Sequence, residues 1–283
     1  MKIAVASGKG GTGKSLVAAN LASSLAKERA VTLVDCDVEE PNLHLFFEGS
    51  VISTPVTAPV PVFDDEKCTH CGACGKFCKY GALTVLPDRI LFFKELCHSC
   101  GGCAAICPEG AITEEERAIG RIDISQPSAR LTLISGVLQE GEVLAPRVIH
   151  AAKKAAEGAD IAILDASPGI ACPVVETLEG CDACIMVTEP TPFGLHDLRL
   201  AVQVTTVLEI PSGVVINKTD GKDQEIRNFC AERDLPVLLT IPFTREIARI
   251  QNTGGLICRE LAGWEEEFQD LFEKVRALPG VEP

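Results

Sequence analysis

The sequence of 283 residues lacks any apolar run that approaches the roughly 18 residues of a membrane span, although 46% of its residues are hydrophobic. It is also poor in basic residues, with 26 Lys and Arg against 40 Asp and Glu and a formal net charge of −14. Because a phosphate backbone would repel this charge, we expect no nucleic-acid partner. Residues 1–6 run directly into a glycine-rich loop, which leaves no room for a signal peptide. We therefore expect a cytoplasmic protein that binds neither a membrane nor nucleic acid.

Cysteine, by contrast, is abundant, with 14 residues in the chain. In a reducing compartment such a number is typical of metal ligands and not of disulfides. Eight of the cysteines form two runs, and the second run repeats the first at a constant offset of 29 residues: Cys68, Cys71, Cys74, Cys78 and Cys97, Cys100, Cys103, Cys107. The duplication predicts two equivalent metal sites.

Each run reads C-x2-C-x2-C-x3-C, the spacing of bacterial ferredoxins that bind two 4Fe–4S clusters. In that pattern three cysteines of a run bind one cluster and the fourth binds the other cluster. The resemblance therefore implies one cluster on Cys68, Cys71, Cys74 and Cys107, and a second on Cys97, Cys100, Cys103 and Cys78. Zinc, the alternative, uses isolated C-x2-C pairs and would leave the third cysteine of each run without a role.

The two runs differ directly after their last cysteine. In the second run Pro108 follows, as in ferredoxins, whereas Lys79 takes this place in the first run. A positive charge there would raise the reduction potential of one cluster relative to the other. His70 and His98 lie between the ligands, and we expect neither to bind metal because each cluster already has four thiolates.

The glycine-rich loop near the N-terminus reads Ser7-Gly8-Lys9-Gly10-Gly11-Thr12-Gly13-Lys14-Ser15. It fits both the dinucleotide fingerprint G-x-G-x-x-G, with Asp35 as the ribose-binding acid, and the P-loop G-x4-G-K-S. Lys14 and Ser15 favour the P-loop, because a triphosphate needs an ammonium on its β and γ oxygens and a hydroxyl on Mg²⁺. A predicted strand over 2–6 and a predicted helix over 16–27 give the loop the required context. We therefore expect Gly8, Lys9, Gly10, Gly11, Thr12, Gly13, Lys14 and Ser15 to bind the nucleotide, with Ser15 on Mg²⁺.

The segment from Lys9 to Ser15 resembles the deviant Walker A motif of the MinD, ParA, Mrp and nitrogenase iron protein group of P-loop ATPases. In that group the first lysine reaches across a dimer interface to the nucleotide of the other subunit, where it acts as an arginine finger does. The resemblance implies MgATP as the ligand, a nucleotide-dependent homodimer, and catalytic roles for Lys9 and Lys14.

Acidic residues end two predicted strands that carry further motifs of this group. The first strand ends in Asp35 and Asp37, and we expect Asp37 to orient the attacking water and Asp35 to lie in the outer shell of the metal. The second resembles a Walker B strand that ends in Asp165, and Gly169 follows as a switch whose amide would contact the γ-phosphate. Carboxylates that merely cap the next helix are the alternative, which two such strand ends beside a P-loop disfavour.

Selection of the base depends on two further segments. The segment Asn217-Lys-Thr-Asp220 reads NKxD, which selects guanine through its aspartate in GTPases, whereas its asparagine contacts adenine in the MinD-like group. The segment around Pro242 resembles the second base-flanking segment of that group. We therefore expect Asn217, Asp220 and Pro242 near the base, with ATP favoured over GTP.

Three other cysteines have spacings that suggest chemistry. Cys172 follows Asp165 by seven residues. In the resembled nitrogenase iron protein a cysteine at this distance helps to bridge a cluster across the dimer, although its second ligand has no counterpart here. Cys172 is thus either a metal ligand or a buried residue. Cys181 and Cys184 have metal-ligand spacing, but Cys184 begins an apolar strand, which favours a core position.

Strands alternating with helices predict an α/β fold with a mostly parallel sheet covered on both faces. We predict a P-loop ATPase domain from residues 1–60 and 117–283, and a small inserted α+β ferredoxin domain over 62–115. The proline-rich stretch 54–61 predicts a boundary linker. Over 264–278, helically spaced apolar residues and an acidic polar face predict a core-packed helix and not a membrane helix.

Three functions agree with these motifs. Electron transfer to a partner protein, controlled by ATP in a dimer, is favoured because clusters fully ligated within one insertion would be permanent. A carrier of clusters or metal for the maturation of another metalloenzyme would use Cys172 as a transient ligand. A redox-sensing regulatory ATPase would bind its partner in a nucleotide-dependent way without passing electrons.

Overall fold

The structure, a computed structural model, describes residues 1–281 and contains a large sheet and a small one. Eleven strands form these sheets within that range: β1 (Lys2–Ala6), β2 (Val31–Cys36), β3 (Val51–Phe63), β4 (Leu83–Val85), β5 (Ile90–Phe92), β6 (Ile112–Ser128), β7 (Leu131–Leu138), β8 (Ile161–Ala166), β9 (Ala183–Thr188), β10 (Ser212–Thr219) and β11 (Val237–Pro242). The large sheet has the order β11-β10-β9-β1-β8-β2-β7-β6-β3, and β4 pairs with β5 alone.

Seven neighbouring strands of the large sheet, from β11 to β7, run parallel to one another. Strand β6 then pairs antiparallel with both β7 and β3. The predicted α/β fold with a mostly parallel sheet is therefore confirmed. Since the parallel strands end at one edge of the sheet, the residues that follow β1, β2 and β8 meet there.

The described residues form ten α-helices: α1 (Lys14–Leu25), α2 (Ala73–Phe77), α3 (Gly102–Ile106), α4 (Ala145–Ala155), α5 (Cys172–Leu178), α6 (Pro192–Val207), α7 (Gln224–Glu232), α8 (Arg245–Asn252), α9 (Ile257–Glu260) and α10 (Trp264–Arg276). None of the helices within residues 1–281 is long and apolar enough to cross a membrane.

Helices cover both faces of the large sheet, because alternate side chains of each strand point to opposite faces. Ile3 and Val5 of β1 pack in one core with α1, α8, α9 and α10. Ala4 and Ala6 pack in the other core with α4, α5, α6 and α7. The C-terminal helix α10 buries Phe268 and its apolar neighbours in the first core, which confirms the predicted core packing.

The prediction of a proline-rich linker over 54–61 was wrong. These residues lie within β3, a strand of 13 residues that pairs with β6 along its whole length. Strand β3 is at the edge of the sheet, so one of its sides has no partner strand. Proline lacks an N–H donor, and an edge strand tolerates it because donors on the open side bond no neighbour.

A two-stranded ribbon of β3 and β6 carries the cysteine-rich segment. Gly120 of β6 pairs with Leu138 at the carboxyl end of β7, so the part of β6 before Gly120 extends beyond the sheet. That is the edge at which the P-loop follows β1. The predicted domain boundaries face each other within this ribbon, where Val60 pairs with Glu115.

Between the two ribbon strands lie helices α2 and α3 and the sheet β4–β5. We call residues 64–111 the cysteine insertion. Its core is small: Cys74 and Leu83 are buried beside Ile112, the first residue of β6, and partly buried apolar side chains pack against these three residues.

Candidate nucleotide site and cysteine cavities

The P-loop connects β1 to α1, and two of its glycines are required by close contacts. A Cβ on Gly8 would lie 2.3 Å from the carbonyl oxygen of Asp197. Gly13 has a φ of +94°, and a Cβ there would lie 2.2 Å from Nδ2 of Asn217. Only glycine allows this backbone to pass so close to its neighbours. The loop is therefore tightly fitted at its two ends.

Lys14 lies at the centre of the strand ends. Its Nζ is 3.2 Å from Oδ2 of Asp37 and 3.3 Å from Oδ1 of Asp165, and its side chain is 8% exposed. Burial alone would lower the pKa of Lys14, but the charges of Asp165 and Asp37 outweigh burial and raise it. The lysine is therefore charged and already directed to the place where phosphate oxygens would bind.

Asp165 is fully buried at the end of β8, and its Oδ2 has no hydrogen-bond partner in the described residues. Burial raises the pKa of Asp165, while the nearby charge of Lys14 and the hydroxyl of Ser15 lower it in part. An unpartnered buried carboxylate oxygen is costly unless a ligand satisfies it. Together with the Ser15 hydroxyl, this oxygen fits a hydrated Mg²⁺.

Asp35 accepts hydrogen bonds from backbone amides of the loop that follows β2. Its Oδ2 accepts hydrogen bonds of 2.9 Å from the amides of Asn42 and Leu43, and its Oδ1 accepts one of 3.2 Å from the amide of Asp37. Burial, reinforced by the charge of Asp165, raises the pKa of Asp35 to about 7. Asp35 thus fixes the loop that presents Asp37, and its expected place in the outer metal shell stays a prediction.

The side chain of Lys9 contacts a residue of its own chain and does not extend away from that chain. Its ammonium forms an ion pair with Glu189, the residue after β9, whose other oxygen lies 3.6 Å from Nζ of Lys218. Lys218 in turn donates a hydrogen bond of 2.5 Å to the carbonyl of Gly11. Glu189 therefore holds Lys9 beside the loop, a contact that no motif in the sequence indicated. The expected role of Lys9 across a dimer stays a prediction.

The switch and base residues are engaged with the protein itself. The amide of Gly169 donates to the carbonyl of Ser7, at 2.9 Å, and Asn217 Nδ2 donates to the carbonyl of Thr12, at 2.7 Å. Asp220 and Pro242 are exposed at the ends of β10 and β11. Gly169 and Asn217 thus contact the P-loop, and the contacts of these residues with γ-phosphate or base stay predictions.

A cavity of about 640 Å³ opens beside the P-loop, which is within the usual range for small-molecule sites. It brings together six of the predicted site residues: Gly10, Gly11, Gly13, Lys14, Ser15 and Asp37. A second group of residues that line the cavity was not predicted from the sequence: Glu40, Asn42, Leu45, Phe46, Gln251, Asn252, Thr253 and Gly254. They belong to the loop after β2 and to the end of α8, which are distant in sequence and carry no motif.

Two further cavities lie in the cysteine insertion, and each is lined by four cysteines. The first cavity has Cys68, Cys71, Cys74 and Cys107, and the second cavity has Cys78, Cys97, Cys100 and Cys103. Each set combines three cysteines of one run with the fourth of the other run. The structure therefore groups the thiols as the ferredoxin resemblance implied.

Equivalent positions of the repeat supply a buried polar atom without a partner to each cavity. His70 lines the first cavity and Ser99, which lies 29 residues later, lines the second. Nε2 of His70 and Oγ of Ser99 are both buried and have no hydrogen-bond partner among the described residues. Such atoms are expected where a bound group accepts the hydrogen bond.

Thiol environments agree with this grouping. Burial raises the pKa of Cys74, and the neighbouring Cys68 and Cys107 add to the shift. In the second cavity burial likewise raises the pKa of Cys103, with a further contribution from the other cysteines there. Metal binding would release these thiol protons, since the thiolate is the ligand.

The three other cysteines with suggestive spacing differ in exposure. Cys172 is exposed at the first position of α5. Cys181 and Cys184 are buried, and burial raises the pKa of Cys181 to about 11. Both are core residues, as the apolar strand indicated. Within residues 1–281, no group of three or more His, Cys, Asp or Glu side chains is arranged to hold a single metal ion.

The family model described as the CobQ/CobB/MinD/ParA nucleotide binding domain matches residues 3–257. The uncharacterized protein MJ0579 of Methanocaldococcus jannaschii is 34% identical over 230 residues, which cover 80% of this chain and 83% of the relative. The uncharacterized protein MJ0578 of the same organism is 29% identical over 280 residues, or 98% of this chain and 96% of the relative.

Solved structures share the fold at lower identity. The septum site-determining protein MinD of Pyrococcus horikoshii, complexed with Mg-ADP, matches with a TM-score of 0.63 at 20% identity, covering 98% of this chain and 96% of that chain. A ParA family ATPase of Chlorobium tepidum matches with a TM-score of 0.59 at 17% identity, covering 96% of each chain.

Proposed function

This chain belongs to the CobQ/CobB/MinD/ParA family of nucleotide-binding proteins, and we propose that it is an iron–sulfur ATPase whose nucleotide state controls electron transfer to a partner protein. One observation carries the proposal. Two cavities, each lined by four cysteines, stand on a ribbon that extends from the same edge of the sheet as the P-loop. The candidate nucleotide site and the two cysteine cavities thus share one edge of the fold.

We expect each cysteine cavity to hold a 4Fe–4S cluster. The four cysteines of a cubane cluster bind four different irons, so they surround a volume and do not converge on one point. In each cavity the thiols come from both cysteine runs, which favours a ferredoxin-type cluster over a zinc site built on isolated C-x2-C pairs. The unpartnered atoms of His70 and Ser99 would donate hydrogen bonds to cluster sulfur.

Each cluster would supply a redox centre that accepts and donates one electron. The chain's own residues set its environment: the ligand loops orient the thiols, and the ring of Tyr80 stacks on that of His98 at the second cavity, with centroids 3.6 Å apart. Because all eight ligands lie within one insertion, the clusters would be permanent. Permanent clusters favour electron transfer over delivery.

MgATP is the nucleotide that the P-loop cavity supports. Lys14 would bind the β and γ oxygens, and Ser15 with Asp165 would hold Mg²⁺ and its waters. Asp37 borders the cavity beside Lys14 and would orient the attacking water. The bound Mg-ADP of the Pyrococcus horikoshii relative supports the same ligand class here.

Hydrolysis would require a homodimer in which Lys9 leaves Glu189 and approaches the nucleotide of the other subunit. The ion pair of Lys9 and Glu189 is partly exposed, with side-chain exposures of 30% and 18%, so solvent screens it and exchange is inexpensive. The charge of a second γ-phosphate would compete effectively with one carboxylate.

The test is an iron count with electron paramagnetic resonance (EPR) of the anaerobically purified, reduced protein, with and without MgATP. We expect about eight irons per chain, two interacting reduced clusters, and a nucleotide-dependent shift of a reduction potential or of the rate of partner reduction. The proposal would be ruled out if the protein held zinc, or if MgATP changed neither a reduction potential nor the rate of partner reduction. Nucleotide-dependent partner binding without electron transfer would identify a redox-sensing regulator instead.

A carrier of clusters or metal is a second candidate, favoured by the exposure of Cys172 close to the switch. In a dimer the two Cys172 thiols would act as transient ligands for iron in transit. Delivery predicts iron beyond the two permanent clusters, lost in Cys172→Ser and transferred to an apoprotein acceptor. An unchanged iron count in Cys172→Ser would remove this candidate.

A further inference from the structure

We call residues 1–63 and 112–281 the nucleotide-binding unit. One of its side chains contacts the cysteine insertion. Arg147, in the first turn of α4, donates a hydrogen bond of 2.9 Å from Nη2 to the carbonyl of Ser99. The two residues are 48 positions apart in sequence. This contact is independent of the ribbon of β3 and β6, so the insertion is attached to the sheet at a second place.

The bonded carbonyl belongs to the loop that presents ligands to the second cavity. Ser99 lies between Cys97 and Cys100, is 5% exposed, and has a positive φ of 50°. Its amide donates to Sγ of Cys97, at 3.4 Å. A shift of Arg147 would therefore move a strained, buried residue that lies between the proposed ligands Cys97 and Cys100.

The internal repeat offers a comparison within the same chain. His70 is the equivalent of Ser99 at the first cavity, and its φ of 53° is close to the φ of 50° at Ser99. In the part of the chain that the structure describes, no side chain donates to the carbonyl of His70. Only the second of two matched loops is bonded to the nucleotide-binding unit.

Helix α4 connects this contact to the switch. It packs against α5, with Val148 and Val174 in the same core. Near its other end, Lys153 donates to the carbonyl of Glu179, at 2.7 Å, just after α5. Helix α5 begins three residues after Gly169, whose amide bonds the P-loop. A movement of the switch would thus reach α4 through packed and hydrogen-bonded neighbours.

Charge distinguishes Arg147 from the other arginine near this cavity. Arg117, on β6, is neutralised by Glu142, with Nη2 and Oε2 3.0 Å apart. Arg147 forms no ion pair within residues 1–281. Its positive charge would favour the more negative, reduced state of a nearby redox centre.

We propose that Arg147 is the positioning residue through which nucleotide binding alters the second cysteine cavity and leaves the first unchanged. The inference rests on the proposed function, in which both cavities hold clusters. It makes one cluster the nucleotide-responsive centre, while the other keeps a constant potential.

The experiment compares the full-length, cluster-loaded wild type with Arg147→Gln, Arg147→Lys and Lys154→Gln. Lys154 is exposed on the same helix and serves as the control for loss of one positive charge. Hydrogen exchange of 68–74 and 97–103 is measured with and without a non-hydrolysable ATP analogue and Mg²⁺, and both reduction potentials are followed by EPR. Nucleotide affinity and iron content are measured on the same samples.

In the wild type and in Lys154→Gln, we expect nucleotide to change exchange over 97–103 and one of the two reduction potentials. In Arg147→Gln both responses are lost, and that same potential falls, with nucleotide affinity and iron content retained. Arg147→Lys, which keeps the charge and a donor, restores part of the response. A full response in Arg147→Gln, or equal responses in both segments, overturns the inference alone. A wild type without iron overturns the proposed function on which it rests.

Discussion

The nucleotide-binding unit and the cysteine insertion differ in how their functional side chains are held. Around the P-loop most charged groups already have partners: Lys14 has two carboxylates, Lys9 has Glu189, and Asp35 has three backbone amides, whereas Oδ2 of Asp165 has none among the described residues. In the insertion the thiols line two cavities, and each cavity also has a buried residue with an unpartnered polar atom, His70 or Ser99. The first unit is organised by its own charges, whereas the second depends on what it binds.

Core size differs in the same direction. Two extensive cores cover the faces of the large sheet, whereas the small core of the insertion is built on three buried residues, Cys74, Leu83 and the adjoining Ile112 of β6. So small a core supplies little free energy of folding without a metal or another crosslink. Removal of the nucleotide and removal of the metal should therefore have unequal structural consequences.

The largest expected effect is the loss of structure in the insertion when iron is removed by oxidation in the presence of a chelator. Metal binding and folding are coupled where ligands supply much of a core. We expect hydrogen exchange over 64–111 to become fast, while β1, β2 and β8 stay protected. An insertion that remains protected without iron would contradict the contrast between the two units.

Substitution Lys14→Ala should weaken MgATP binding by about 10- to 100-fold, since a charge-assisted hydrogen bond to phosphate contributes about 1.5–3 kcal/mol. Titration calorimetry measures the affinity. Lys154→Ala is the matched control, because Lys154 is exposed on α4 and lies outside the cavity. Iron content should be equal in both variants, and a loss of iron in Lys14→Ala would show that the two units are not independent.

Asp35 should make stability depend on pH in the nucleotide-free protein. Its pKa is raised from 3.8 to about 7, so the folded state binds more protons than the unfolded state between these values. The free energy of unfolding therefore falls as pH rises through this range, by on the order of 4 kcal/mol. Thermal unfolding at several pH values should show a smaller slope for Asp35→Asn. An unchanged slope would assign the pH dependence to other groups.

The smallest expected effect belongs to Glu189→Gln. Removing the carboxylate frees Lys9 from a partly exposed ion pair worth less than about 1 kcal/mol. We expect a dimer about 2- to 5-fold tighter in a non-hydrolysable ATP analogue, measured by analytical ultracentrifugation, with unchanged affinity for the nucleotide. A weaker dimer would mean that Glu189 also acts across the interface.

The sequence motifs predicted the P-loop, the acidic strand ends and the grouping of the eight cysteines, because these features depend on local spacing. Contacts between distant segments were not predictable in this way. Nothing near Glu189 indicates that it holds Lys9, 180 residues away. Likewise, the prolines of β3 suggested a linker. The segment is a strand because it pairs with β6, and β6 lies beyond both cysteine runs, so local sequence could not indicate the pairing.

The ladder between β3 and β6 has one more consequence. Thr57 pairs with Ala118, so the chain departs from the nucleotide-binding unit and returns to it at adjacent points. A two-residue Asn-Gly turn between these positions would close β3 and β6 into an ordinary hairpin. The 60 residues from 58 to 117 are therefore removable in principle without breaking the large sheet. Such an excision would yield a plain nucleotide-binding protein, and the same two positions would accept a different module in its place.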